Sequence, residues 1–167
     1  MEALGVDVGG VITDARAKGT ERWLDSGSDY LNTPLNEGVI EALSRLSRQR
    51  FGSGIFLVSK CDPLTQETTR RFLHHIDFFA RTGVPPENVH FCLGRKDKAP
   101  IVAQYGITHF VDDRLEVLSH MNTVPNRILF KPNEAEVDAH RQHLPHVTAV
   151  HSWTEVTQVI LEERHTI

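Results

Sequence analysis

The chain has 167 residues, of which 40% are hydrophobic and 24% charged, the balance of a folded protein rather than a disordered or fibrous one. Eighteen basic against 22 acidic side chains leave a formal charge of −4, which argues against a general nucleic-acid binder. The two cysteines, Cys61 and Cys92, cannot build a disulfide framework and fit a reducing cytoplasm. No apolar run reaches the ~20 residues of a membrane span, and the opening MEALGVDVGG lacks the charged-then-apolar build of a signal peptide.

Short apolar runs alternate with amphipathic segments along the chain. The first run, Ala3–Val8, is followed by a Gly-, Ser-, Asp- and Asn-rich stretch, Ala15–Leu35. Asn36 then stands as the expected cap of a helix with Val39, Ile40, Leu43 and Leu46 on its apolar face. A second strand is expected at Gly54–Val58. Asp62-Pro63 opens the next helix, whose stripe of Phe72, Leu73, Ile76 and Phe79 runs on until Gly83 stops it. Further strands are expected at Val89–Leu93, Ile107–Val111, Arg127–Phe130 and Val147–Val150, with helices over Lys98–Tyr105 and Arg114–Met121. Ser152-Trp-Thr-Glu155 reads as a capping box for a last helix carrying Val156, Val159 and Ile160 inward.

Several strand candidates are nearly all apolar, as befits strands covered on both faces. Strand–helix alternation of this kind implies an α/β fold with a mostly parallel sheet flanked by helices. Residues 1–167 read as one domain. The stretch at about 15–35 is its one long interruption, of a length that is either functional or poorly ordered.

Ligands of open parallel sheets bind beyond the carboxyl ends of the strands. The first strand runs into Asp7, Gly9 and Gly10; the second into Ser59 and Lys60; the fourth into Asp112 and Asp113. Arg95-Lys96-Asp97-Lys98 opens the helix before that fourth strand. Carboxylates converging on one sheet edge repel one another unless a lysine or a cation compensates. A hard divalent ion such as Mg²⁺, shared with a substrate phosphate, would resolve the conflict.

This order of strand-end Asp7, strand-end Ser59, helix-opening Lys98 and strand-end Asp112-Asp113 resembles the four motifs of the haloacid dehalogenase-like superfamily, over roughly residues 3–120. The resemblance implies a three-layer Rossmann-like fold and a phosphohydrolase that passes the phosphoryl group through an aspartyl-phosphate on Asp7. Ser59 and Lys98 would complete the catalytic set and bind the phosphoryl group, with Lys60 and Gly10 beside them. Asp7, the Gly9 carbonyl, Asp112 and Asp113 would hold Mg²⁺. The substrate would be a phosphorylated small molecule or macromolecule. Neither gap between the motifs is long enough for a large cap domain, so the resemblance points to a capless or minimally capped type with a flap at about 15–35.

One position departs from the pattern. Most phosphatases of that superfamily have an acid/base Asp two residues after the nucleophile, and here Gly9 stands there. A positioned acid/base is worth roughly 10²–10⁴-fold, so a second reading is a catalytically weak or inactive protein that binds a phosphorylated ligand or a protein partner. Asp14 is a nearby carboxylate that could substitute. Carbon–halogen hydrolysis by the same aspartate needs no Mg²⁺ and leaves Asp112-Asp113 without a task.

Plainer readings stand beside each residue. Asp7 could be a turn residue, Ser59 or Asp112-Asp113 helix caps, and Lys98 a surface lysine with Lys96 as its rival. Lys60, Arg114 and Arg16 lie close to the motifs and could touch a substrate anion, with exposed charge as the plainer reading. His140, His143 and His146 read as a solvated segment interrupted by Pro145, His74-His75 as an exposed or satisfied pair, and Cys61 as an ordinary thiol.

Overall fold

A computed structural model describes residues 1–14 and 27–162; the reading of most of 15–35 as a flap, and Arg16 with it, lies outside them. Six strands form one all-parallel sheet: β1 (Leu4–Val6), β2 (Ile55–Lys60), β3 (Val89–Cys92), β4 (His109–Asp112), β5 (Asn126–Phe130) and β6 (Thr148–Val150). Their order across the sheet is β3-β2-β1-β4-β5-β6. The chain therefore winds outward from β1 in one direction, returns, and winds outward from β4 in the other. This is a three-layer, Rossmann-like α/β fold, and its topological switch point lies between β1 and β4.

Side-chain alternation along the strands divides the core in two. Leu4, Val6, Ile55, Leu57, Val111, Ile128 and Phe130 face one side. There they meet α1 (Val39–Leu46), α2 (Pro63–His75), α3 (Phe78–Thr82) and α7 (Trp153–Glu162). Val58, Phe110 and Leu129 face the other side, against α4 (Lys98–Gln104) and α5 (Leu115–Ser119), with α6 (Glu134–Ala139) alongside through half-buried Val137. Burying each large apolar side chain contributes about 1.5–3 kcal/mol, so both faces of the sheet are held by their helices. Gly5 in β1 is demanded by packing: a β-carbon there would lie 2.4 Å from the Phe110 ring.

Local chemistry explains the starts of two helices. The Asp62 carboxylate accepts the Thr65 N–H at 2.8 Å and Pro63 fills the first helical position of α2. Ser152 Oγ accepts the Glu155 N–H at 3.1 Å, while the Glu155 carboxylate reaches back to the His151 N–H.

Two expectations need correction, and one segment that the sequence left unassigned takes regular structure. Asn36 is not the cap of α1, whose N-terminal flank is Gly38 in a left-handed conformation; Asn36 has another task, described below. The helix expected to run through Ile76 to Phe79 is two helices, because Asp77 turns left-handed (φ 56°) between them. Segment 131–146, which shows no apolar stripe, folds as α6 followed by a 3₁₀ segment over Arg141–His146.

Candidate active site

Asp7 directly follows β1, and its backbone N–H donates to Val111 O at 3.0 Å, which ties it to the neighbouring strand. Asp112 closes β4, Ser59 lies near the end of β2, and Lys98 is the first residue of α4. The switch point brings these four side chains together although they are spread over 106 positions of sequence, and all four are buried. Lys98 Nζ donates to Asp7 Oδ1 at 3.0 Å and to Asp112 Oδ2 at 2.9 Å. The rival, Lys96, is exposed, and Lys98 is only 3% exposed. The reading of Lys98 as a surface lysine is thus excluded by burial and pairing.

The electrostatics follow from burial. Desolvation outweighs the attraction of Lys98 and lifts the Asp7 carboxyl to about 6, with Asp112 adding to the rise. Asp113 is pushed up to about 9 by burial and by the charges of Asp7 and Asp112. Burial opposes the charge on Lys98, yet the two carboxylates together hold its ammonium above the ordinary lysine range. Carboxylate oxygens of Asp7, Asp112 and Asp113 lie within 4.8 Å of one another. Three acids around one ammonium form an all-oxygen donor set that suits a hard divalent cation.

The loop after β1 is pinned from outside. The amides of Ile12 and Thr13 donate to Val8 O at 2.9 and 3.1 Å, and Gly10 adopts φ 81°. Buried Asn36 donates its Nδ2 to Val11 O at 2.8 Å and to Thr13 O at 3.1 Å, while its Oδ1 accepts Lys131 Nζ at 2.7 Å. Trp153 Nε1 donates to Val11 O at 3.0 Å. Asn36, itself held by Lys131, and Trp153 thus pin the Val11–Thr13 backbone that follows Asp7, Gly9 and Gly10. Nothing in the sequence pattern marks Asn36, Lys131 and Trp153 as a group, because they lie 22 or more positions apart and two of them are in loops.

Above the carboxylates opens a cavity of about 400 Å³ lined by Asp7, Gly9, Ser59, Lys98, Asp112 and Asp113, together with Lys60, Cys61, Thr65, Thr69, Arg95 and Arg114. Lys60 is exposed at its rim, as expected. Arg114 is not the freely exposed charge that its sequence neighbourhood suggests; it is half-buried against the cavity. Arg95, Thr65 and Thr69 are lining residues that the sequence reading did not single out. Gly10 faces away, into a second hollow of about 390 Å³ that Asp14, Asp113 and Lys131 also line.

The capping alternatives resolve by geometry. Asp62, not Ser59, caps α2. Asp112 Oδ1 does accept the Arg114 N–H at 3.0 Å, but the first amides of α5, those of Leu115 and Glu116, are taken by the Glu136 carboxylate. Among the described residues no heavy atom lies within 4 Å of where a Gly9 β-carbon would stand, so none of them sterically requires glycine there. Burial pushes the Cys61 thiol up to about 11, which makes it an ordinary thiol rather than a nucleophile. His74 and His75 are exposed. His140, expected to be merely solvated, stands 4.0 Å from both Glu116 and Glu136, whose oxygens already accept from Arg95 and from backbone amides.

Comparison of the chain with protein-family models and with curated proteins matches none of them.

Proposed function

We propose that the protein is a Mg²⁺-dependent phosphohydrolase that cleaves a phosphate monoester through an aspartyl-phosphate on Asp7, as a member of the haloacid dehalogenase-like superfamily. The observation that carries this reading is the Lys98 ammonium bridging Asp7 and Asp112 on the floor of an open cavity at the switch point of the sheet. A structural ion pair has no need of a third carboxylate or of a cavity above it.

In this reading the Asp7 carboxylate attacks phosphorus, the bond from phosphorus to the ester oxygen breaks, and the leaving oxygen takes a proton from water. Water then attacks the phosphorus of the acyl phosphate, which releases inorganic phosphate and regenerates Asp7. Lys98 neutralises Asp7 and a phosphoryl oxygen in a site where burial strengthens the interaction. The Ser59 hydroxyl, buried but facing the cavity, donates to another phosphoryl oxygen. Asp7, Asp112, Asp113 and the Gly9 carbonyl would hold Mg²⁺, which when bound screens the charge between nucleophile and phosphate. Lys60 sits at the rim, where the substrate enters.

One observation favours a second reading, a protein that binds a phosphorylated ligand without efficient turnover. The place of the usual acid/base is Gly9, and among the described residues no heavy atom lies within 4 Å of where its β-carbon would stand. Phosphate release from an aryl phosphate and a panel of natural monoesters, with Mg²⁺ or with EDTA, separates the two. Turnover that requires Mg²⁺ supports the hydrolase. Silence on every substrate, from folded protein that still binds Mg²⁺, supports the binding protein.

A further inference from the structure

The wall of the cavity that holds Lys98 also carries two guanidinium groups that share one counter-charge. Arg95 Nη1 donates to Glu116 Oε2 at 3.1 Å, and the nearest approach of Arg114 to that same oxygen is 3.9 Å, beyond hydrogen-bond distance. His140 Nε2 stands 4.0 Å from it as well. Arg114 Nε is buried and has no hydrogen-bond partner among the described residues. A buried donor left unmade is destabilising, and an arginine fork is shaped for a planar or tetrahedral oxyanion. Both arginines are half-buried, and both line the cavity that holds Asp7 and Lys98.

We infer that the site takes a substrate with a second anionic group, a carboxylate or second phosphate, which Arg114 grips with support from Arg95 while the phosphoryl group sits at Asp7 and Lys98. The inference rests on the phosphoryl-binding reading of that cavity. It explains why Arg114 is held half-buried beside Asp112, whose Oδ1 fixes the Arg114 backbone at 3.0 Å, rather than released to solvent. Arginine suits the task better than lysine because its donors form a rigid fork.

Phosphonates test this without relying on turnover, because the carbon–phosphorus bond is not hydrolysed. Calorimetric titration in Mg²⁺ compares propylphosphonate with 3-phosphonopropionate and with propane-1,3-bisphosphonate, flanked by shorter and longer carboxylate homologues. The dianionic-site account expects at least one two-anion ligand to bind tenfold or more tightly than propylphosphonate. That ratio should fall to near one in Arg114→Gln, stay intermediate in Arg114→Lys, and shrink in Arg95→Gln. The carboxylate and bisphosphonate arms tell which second anion is preferred. Equal affinities in the wild type, a preference that survives Arg114→Gln, or no binding of any phosphonate would each overturn the inference. Asp7-dependent turnover of an aryl phosphate alongside equal affinities would sink the inference alone; a preference for two anions in a protein without turnover would sink hydrolysis alone.

Discussion

Asp113 occupies the volume that a side chain on Gly10 would fill: a β-carbon at Gly10 would lie 2.3 Å from Asp113 Oδ2. Gly10 also adopts φ 81°, a conformation that other residues enter at a cost. Glycine here lets the third carboxylate approach Asp7 and Asp112. Gly9, one residue earlier, has neither constraint. Gly10→Ala should destabilise the protein by about 1–3 kcal/mol, and Gly9→Ala should change little. Thermal unfolding of both variants checks this; equal effects would contradict the assigned difference.

Lys98 is the counter-ion of two buried carboxylates, so removing its charge leaves them facing one another. Lys98→Met should cost about 3–5 kcal/mol of stability without divalent cation. Added Mg²⁺ should recover more stability in Lys98→Met than in the wild type, because the variant has more uncompensated charge. Urea unfolding with Mg²⁺ and with EDTA reads both quantities. A variant as stable as wild type in EDTA would contradict the account of the pair.

The raised acids set a pH dependence with a definite sign. A carboxyl whose pKa is raised by folding holds its proton more tightly in the folded state, so its contribution to stability falls as pH rises between the unfolded and folded values. For Asp7 the window runs from 3.8 to about 6, and for Asp113 from 3.8 to about 9. In EDTA, Asp113→Asn should therefore gain on the wild type as pH rises, and should be the more stable of the two at pH 8. Divalent cations favour the deprotonated acids, so Mg²⁺ affinity should increase with pH over the same window. Urea titrations across pH 4–9 check the first, and calorimetry the second. Wild type gaining on Asp113→Asn as pH rises in EDTA would reverse the sign.

Each strand of the sheet was legible within a few residues, the central ones because a strand covered on both faces must be apolar nearly throughout, as Leu4–Val6 and Ile55–Val58 are. Asp7, Ser59, Lys98 and Asp112 were legible because strand and helix termini place them at one sheet edge. What escaped the sequence has physical reasons. Helix α6 buries no residue fully, so it leaves no stripe to read. The left-handed turn at Asp77 interrupts a stripe that continues across it. Asn36 looks like a cap because caps and loop pins use the same side-chain amide, and only the fold tells which backbone it meets. Arg114 follows an acidic pair and reads as surface charge until the fold closes a cavity over it.

Gly9 offers a direct test of what the missing acid does. With open space around it, Gly9→Asp should fold with unchanged stability. A carboxylic acid there assists poor leaving groups most, so the rate on alkyl phosphates should rise by about 10²-fold or more, and the rate on aryl phosphates far less. Rates over a series of leaving groups measure this. Activity created from nothing on every ester would instead mark the natural protein as a binding protein.

The measurement that bears most directly on the central claim is phosphate release by the wild type and by Asp7→Asn, each with Mg²⁺ and with EDTA. Asp7→Asn keeps the shape of the side chain but removes the nucleophilic charge. The account predicts Mg²⁺-dependent release by the wild type and none above background by the variant. Equal release by the two proteins would contradict Asp7 as the nucleophile.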